Sequence, residues 1–311
     1  MISIIVPLYN EEESLFPFYE KLKKALLMLK NEYEIIFIDD GSTDKSLENL
    51  KALAKKDKDI KIFSFRRNRG KAEALNYGFI AAKGDYIITL DADLEDRPEE
   101  IPNLISKINE GYDLITGWRK NRKHAWFMKI PSRFFNFLSN SFWGLKLHDY
   151  NCGLKIYTKG AAKSLNLYGG LHRFIPLLLY KQGFKVAEIP VVHDKRRFGK
   201  SKYGFSKIWK DSPDMFTMLF LTKYGKRPLH FFSLIGFLFT LIGFSFISYL
   251  TFIHFAFNES VGQRPLLFMG MLFVISGFQV FFTGFLSDLI INRSEKRTIN
   301  DESILKYSND K

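Results

Sequence analysis

The 311-residue chain holds a single cysteine, Cys152, which excludes an internal disulfide and agrees with a reducing compartment. No Gly-x-Gly-x-x-Gly follows its first apolar run, so a dinucleotide Rossmann site is not supported. No Gly-x4-Gly-Lys-Ser/Thr occurs either, which excludes a P-loop. The N-terminus opens directly into a strand pattern, without the features of a signal peptide. His148, His172 and His193 lack metal-ligand spacing and read as structural. Residues 229–258 and 265–287 contain no Lys, Arg, Asp or Glu. Each run exceeds the roughly 20 apolar residues that cross a bilayer. Both are apolar on every face, which is not the pattern of a soluble core helix. Gly236, Gly243, Gly270, Gly277 and Gly284 within them suit close helix packing and permit homo-oligomeric association.

Negative charge is also in deficit. Asp and Glu number 33 against 46 Lys and Arg, for a net charge of +13. The basic residues fall largely beside the membrane-directed segments. Attraction to a lipid bilayer and to phosphate-bearing substrates accounts for them, and nucleic acid is not an expected partner. Lys223, Lys226 and Arg227 precede the first uncharged run, and Arg293, Lys296 and Arg297 follow the second. The connection 258–264 carries only Arg264 as a cation. The positive-inside rule therefore expects a multi-pass protein of the plasma or inner membrane, with both termini and the N-terminal domain cytoplasmic.

The region before those runs alternates strand and helix patterns. Ile2 to Val6 is an apolar run that Pro7 is expected to stop. Glu11 to Lys30 has helical spacing through Leu15, Tyr19, Leu22, Leu26 and Leu29. Tyr33 to Ile38, Ile60 to Phe65, Asp85 to Leu90 and Tyr112 to Thr116 read as further strands, and Gly70 to Ala82 and Pro98 to Asn109 as helices. Continuous apolar strands alternating with helices predict an α/β fold with a mainly parallel sheet covered on both faces.

In such sheets ligands sit beyond the carboxyl ends of the strands. Polar segments follow the first four strands here, at 7–11, 39–44, 66–71 and 91–93. Most informative is Thr89 to Asp96, in which Asp91 and Asp93 flank Ala92. Side chains at i and i+2 of an extended segment point to one side. The two carboxylates can thus share a hard cation, Mg2+ or Mn2+, which takes its other oxygens from a substrate's phosphates. An isolated acidic pair describes a solvated turn equally well; the three companion segments favour chemistry.

Taken in order, Ile-Val-Pro-Leu-Tyr-Asn-Glu (5–11), Asp-Asp-Gly-Ser-Thr-Asp (39–44), Asn-Arg-Gly-Lys-Ala-Glu-Ala-Leu-Asn-Tyr-Gly (68–78) and Leu-Asp-Ala-Asp-Leu (90–94) resemble the family 2 glycosyltransferases of GT-A fold. More narrowly, the chain resembles the polyisoprenyl-phosphate glycosyltransferases, the group that includes dolichyl-phosphate mannose synthase. The resemblance spans residues 1–210, and the paired C-terminal runs are similar to those of bacterial members. It implies that Pro7, Tyr9 and Glu11 contact the nucleotide and that Asp39 and Asp40 read its base or ribose. It further implies that Asp91, Ala92 and Asp93 meet the donor diphosphate, with Asp91 and Asp93 on the metal and Asp93 essential to catalysis. Lys71 opens a helix and faces either phosphate or solvent. Where the mannose synthases commonly carry glutamine two residues past the pair, this chain has Glu95, an added anionic oxygen expected on the metal.

The pattern changes over residues 118–150, which the resemblance makes the acceptor side. The basic loop Trp118 to His124 precedes a segment crowded with Trp126, Phe127, Met128, Ile130, Phe134, Phe135, Phe137 and Leu138, interleaved with Lys129 and Arg133. That mixture describes a helix lying in a membrane interface, or an amphipathic core helix. The resemblance assigns Arg119 and Arg133 to a lipid phosphate, which paired guanidinium donors suit. Asp149 matches an acidic position near the reaction centre and either orients the acceptor or acts as base. An alkyl phosphate, with a second pKa near about 6, needs little deprotonation. The basic stretch 195–204 resembles a family element that places Arg196 and Lys202 at the donor diphosphate.

The expected organisation is a GT-A domain at 1–210, a juxtamembrane helix at 203–227, a two-helix membrane region at 229–292 and a cytoplasmic tail at 293–311. The expected activity is metal-dependent, inverting transfer of a hexose or N-acetylhexosamine from a UDP- or GDP-linked sugar to a polyisoprenyl phosphate, with undecaprenyl phosphate the expected acceptor. A processive polysaccharide synthase would carry more spans and a Gln-x-x-Arg-Trp element, which is absent. A catalytically silent scaffold that binds nucleotide sugar or lipid phosphate is the non-enzymatic alternative.

Overall fold

A computed structural model of the chain describes residues 1–29, 31–120, 144–194, 217, 220, 224–225 and 227–295. The candidate residues Arg133, Arg196 and Lys202 lie outside the described residues, as does most of the aromatic and basic acceptor segment. The chain divides into two compact units, one built on a sheet and one on two long helices.

The first unit runs β1 (Ile2–Leu8), α1 (Leu15–Leu27), β2 (Tyr33–Asp39), α2 (Ser46–Ala54), β3 (Ile60–Ser64), α3 (Lys71–Ala81) and β4 (Tyr86–Thr89). It continues through a short 3-10 turn into α4 (Ile101–Ile108), then β5 (Leu114–Arg119), β6 (Lys155–Thr158), α5 (Lys159–Lys163), α6 (Ile175–Lys181) and β7 (Val186–Val191). The strand order is β3-β2-β1-β4-β6-β5-β7. β1 pairs in parallel with both β2 and β4, and only β6 runs antiparallel to its neighbours. The expected mainly parallel sheet is therefore present, with one reversed strand that apolar patterning alone does not reveal.

That reversal positions the site. β4 ends where β6 begins, with Thr89 opposite Lys155. The loop that enters β6 thus arrives at the same sheet edge as the loops leaving β1 to β5. The chain turns away from β1 toward β2 on one side and β4 on the other, and a crevice at such a switch point is where open α/β sheets bind ligands.

Burial explains the elements. All of β1 is buried, and α1 packs inward through Leu15, Phe18, Leu22, Ala25 and Leu26, a three-to-four residue repeat. α4 does the same through Ile101, Leu104 and Ile108. Each such Leu, Ile or Phe contributes about 1.5–3 kcal/mol through burial. Pro7 does not stop β1, which continues to Leu8. Pairing with β4 ends at Ile5, so Pro7 has a strand neighbour only in β2, where a missing N–H is tolerated.

One buried charge ties the sheet's other edge. Glu34 on β2 is 5% exposed and accepts from Ser3 Oγ at 2.6 Å and Lys83 N at 2.8 Å, and it pairs with Lys61. Burial opposes its charge, but these donors more than offset the penalty and hold its pKa below the usual range. A carboxylate with a lowered folded pKa stabilises above its unfolded pKa of about 4.3 and loses that contribution as pH falls. Glu34→Gln is expected to destabilise by about 1–3 kcal/mol at pH 7, with the gap to wild type narrowing below about pH 4. Thermal melts across pH measure this, and a gap that does not change with pH would contradict it.

The second unit pairs α7 (Pro228–Phe257) with α8 (Pro265–Glu295). Gly236 packs on the Gly277 carbonyl and Gly243 on that of Gly270, so closely that a Cβ at either first glycine would lie 2.7 or 2.6 Å from the oxygen. Both helices are long and apolar enough to cross a membrane, with 11% of the apolar window buried in each. A soluble core helix would be mostly buried, so the exposed Phe, Leu and Ile faces fit a lipid environment.

Candidate active site

The loops after β1 and β2 are stitched together by side-chain to backbone bonds. Asn10 adopts a left-handed φ of 54° and accepts from Thr43 N at 2.8 Å, while Asn10 N donates to Ser42 Oγ at 2.9 Å. Glu11 N donates to Ser46 Oγ at 2.9 Å, and Glu11 itself accepts from Ser14 Oγ at 2.8 Å. Pro7 and Tyr9 lie immediately before this junction, Pro7 buried and Tyr9 half-buried. Asp39, buried at the end of β2, accepts from Ser42 N at 3.0 Å and Ser64 Oγ at 2.7 Å. Its carboxylate therefore ties the turn after β2 to the end of β3.

Asp40 extends the stitching to the next loop. It is buried and accepts from Arg69 N at 2.7 Å and Gly70 N at 2.9 Å. Burial raises its pKa, against the pull of those two amides. Gly41, at φ 71°, lets the loop after β3 close on this turn, because a Cβ there would lie 2.5 Å from the Arg67 carbonyl carbon. The result delivers Lys71, the first residue of α3, to the acidic turn after β4. Its Nζ lies 2.6 and 2.7 Å from the two oxygens of Asp91.

In that turn strand pairing stops at Thr89, yet the two-residue alternation persists. Leu90, Ala92, Leu94 and Asp96 are buried, and Asp91, Asp93 and Glu95 are less so. Leu94 takes a left-handed φ of 63°, a conformation that costs a non-glycine residue about 1–3 kcal/mol and that its burial holds in place. Asp93 is pushed up to about 7 by burial, with the charges of Asp91 and Glu95 adding to it. Asp96 rises to about 6, through burial and the Asp91 charge. Burial also opposes the Asp91 charge, but Lys71 outweighs it and holds Asp91 below the usual carboxylate range.

Arg119 at the end of β5 and Asp149 form a buried bidentate pair. Nε to Oδ2 is 2.6 Å and Nη2 to Oδ1 is 3.0 Å, and Nη2 also donates to the Asn151 carbonyl at 2.8 Å. Glu188 on β7 supports the Asp149 loop by accepting from the backbone N–H groups of His148 and Asp149 and pairing with the His148 ring. That ring stacks on Trp118 at 4.0 Å. Gly153 brings the two halves of the site into contact: a Cβ there would lie 2.7 Å from Asp91 Oδ2 and 2.6 Å from Asp96 Oδ2. Beneath it, Lys155 is 3% exposed and donates to the Cys152 carbonyl, and burial pushes its pKa down to about 8. The Cys152 thiol is pushed up by burial and is not a nucleophile at neutral pH. His172 is pushed down to about 3 by burial, so its imidazole stays neutral.

The structure does not gather Asp91, Asp93 and Glu95 into one cluster. Among the described residues no three His, Cys, Asp or Glu side chains converge as a self-sufficient metal site. Glu95 lies against His193, with Oε2 3.5 Å from Nε2, and Asp194 N binds the Glu95 carbonyl at 2.9 Å. Two carboxylates still fit a hard cation that completes its shell from a substrate's phosphates. The crowded negative charge that lifts Asp93 and Asp96 is what a divalent cation would relieve.

Asp96, Gly153, Lys155, Glu188 and the Arg97–Asp194 pair, whose Nη2 to Oδ1 distance is 2.6 Å, stand at the site without being marked by the sequence motifs. Asp96 carried a visible signal, a third aspartate on the same turn; the others depend on β6 and β7 pairing.

Three comparisons bear on this geometry. The pattern of glycosyl transferase family 2 matches residues 3–165. The dodecaprenyl-phosphate galacturonate synthase of Rhizobium johnstonii is 36% identical over 294 residues, covering 93% of this chain and 87% of that protein. The undecaprenyl-phosphate 4-deoxy-4-formamido-L-arabinose transferase of an Enterobacter species is 35% identical over 291 residues, covering 93% of this chain and 88% of that one. Among solved structures, glucosyl-3-phosphoglycerate synthase from Mycobacterium tuberculosis in complex with Mn2+ and UDP-glucose superposes with a TM-score of 0.55 at 20% identity, covering 71% of this chain and 78% of that one. That likeness is one of fold, the GT-A arrangement of a mainly parallel sheet. With the acidic turn at the switch point and the match over more than half its length, the chain belongs to glycosyl transferase family 2.

Proposed function

We propose that this protein transfers one sugar from a nucleoside-diphosphate sugar to the phosphate of a polyprenyl phosphate at a membrane surface, inverting the anomeric carbon. The observation that carries the reading is the meeting, across Gly153, of the acidic turn Asp91–Asp93 with the loop that holds Asp149 against Arg119. A donor diphosphate and an anionic acceptor would meet at that boundary. The names of the two relatives, each a polyprenyl-phosphate enzyme, support the same acceptor class.

The stitched loops around Pro7, Tyr9, Glu11, Asp39 and Asp40 form the nucleoside end. Lys71, Asp91, Ala92 and Asp93 face the diphosphate. When bound, a divalent cation, Mg2+ or Mn2+, supplies neutralisation of the departing diphosphate. Arg119 orients the acceptor phosphate, whose oxygen attacks the anomeric carbon as the nucleoside diphosphate leaves. Asp149 is a positioning residue: both its oxygens already receive Arg119, and an ionised phosphate needs no base. Arg133, Arg196 and Lys202 keep the phosphate-binding roles that the resemblance implies. The two helices anchor the enzyme, with the catalytic unit on the cytoplasmic side where nucleotide sugars are made.

Incubation of the purified full chain with a panel of labelled UDP- and GDP-sugars, undecaprenyl phosphate and Mn2+ tests this. Label passing into solvent-extractable lipid from one donor supports the transferase. Water-insoluble polymer would favour a processive synthase, and donor binding without product a scaffold.

A further inference from the structure

Lys71 occupies the position where the cation reading needs Asp91 to be open. Its ammonium takes both Asp91 oxygens, at 2.6 and 2.7 Å. The grip is built by the fold, because Asp40 binds the two amides that precede Lys71, those of Arg69 and Gly70, and so fixes the start of α3 beside the acidic turn. Four carboxylates lie within six residues of that turn, Asp91, Asp93, Glu95 and Asp96. The Lys71 charge is committed to the first of them.

An ammonium and a metal ion cannot both approach one carboxylate from the same side without strong repulsion. A nucleoside diphosphate changes the balance, since its oxygens offer the ammonium an alternative anionic partner and offer the metal further ligands. The side chain of Lys71 is 37% exposed and that of Asp91 31%, so side-chain rotation can carry the ammonium from one partner to the other. We infer that Lys71 is a tethered counter-ion that exchanges between Asp91 and the donor's diphosphate, so that the protein binds free metal weakly and takes it up together with the donor. This inference rests on the proposed metal-dependent use of Asp91 and Asp93. It gives Lys71 a role distinct from plain phosphate binding, which would leave metal affinity in the absence of donor unchanged.

The test is a titration of Mn2+ into the purified full chain, read from the paramagnetic resonance signal of free Mn2+. It is run on wild type, Lys71→Met, Lys71→Ala and Lys71→Arg, each without nucleotide and with UDP or GDP, subtracting metal chelated by the nucleotide itself. Without nucleotide, Lys71→Met and Lys71→Ala are expected to bind Mn2+ about two- to fivefold more tightly than wild type, the scale of a partly exposed ion pair. Lys71→Arg, which keeps the cation, is expected to bind as weakly as wild type. Nucleotide is expected to tighten Mn2+ binding more in wild type than in Lys71→Met, because only wild type must displace the ammonium. If wild type binds Mn2+ with nucleotide but removal of the ammonium gives no tighter binding of Mn2+ alone, the exchange is overturned and the metal reading stands. If no protein binds Mn2+ with either nucleotide, the metal reading falls and the exchange with it.

Discussion

Asp93→Asn is expected to lower transfer by about a hundred- to a thousandfold, the scale seen when one electrostatic stabiliser of a transition state is removed. The same substitution is expected to make the metal-free protein more stable. Burial and the neighbouring Asp91 and Glu95 charges push Asp93 up to about 7. An acid whose folded pKa is raised stabilises the fold below its unfolded pKa, about 3.9, and loses that contribution as pH rises through the folded value. Wild type should therefore melt below Asp93→Asn at pH 8, with the gap closing between pH 7 and pH 4. Asp91→Asn should lose activity to a similar degree without the stability gain, because it surrenders the Lys71 pair. Activity assays combined with melts across pH separate the two variants. Near wild-type turnover in both would remove the basis for assigning the donor diphosphate to this turn, and a less stable Asp93→Asn at pH 8 would contradict the crowding of charge around Asp93.

The second large effect concerns Arg119 and Asp149, whose side chains are 11% and 9% exposed. Removing one member of a buried pair strands the other charge, at a cost of about 3–5 kcal/mol, whereas replacing both by apolar side chains is far less damaging. Arg119→Met and Asp149→Leu are each expected to be strongly destabilised, and the double variant to melt closer to wild type than either. The double variant should still be inactive, because the acceptor phosphate has lost its guanidinium. Arg119→Lys should fold but raise the KM for polyprenyl phosphate, since a lysine cannot reproduce the bidentate geometry. A double variant that transfers sugar normally would show that the pair is architectural alone.

Much of this arrangement is legible in the sequence because strand and turn signals are local. The apolar runs of β1 to β4 and the polar segments after them locate one sheet edge, and Asp91 and Asp93 stand out there on alternation alone. The resemblance carried by 5–11, 39–44, 68–78 and 90–94 then points to the family to which the chain belongs. What escapes is non-local. Lys155 is a lysine in a short apolar stretch until β6 is known to run antiparallel to β4, which buries it opposite Thr89. Gly153 looks like any loop glycine until two carboxylates are seen against it. The resemblance sets Glu95 beside the acidic pair, but its contact with His193, past the end of β7, depends on packing far along the chain. Pro7 misleads for a related reason, since whether a strand proline breaks pairing depends on which side carries a partner.

In the proposed reaction a sugar without its phosphate moves to a lipid phosphate. The mass of the lipid product is the most direct measurement of it, taken from liposomes holding the full chain, undecaprenyl phosphate, the accepted nucleotide sugar and Mn2+. The expected product is a lipid monophosphate carrying one sugar, with one nucleoside diphosphate released for each sugar transferred. A lipid diphosphate sugar with release of nucleoside monophosphate, a product bearing several sugars, or no lipid-linked sugar at all would contradict it.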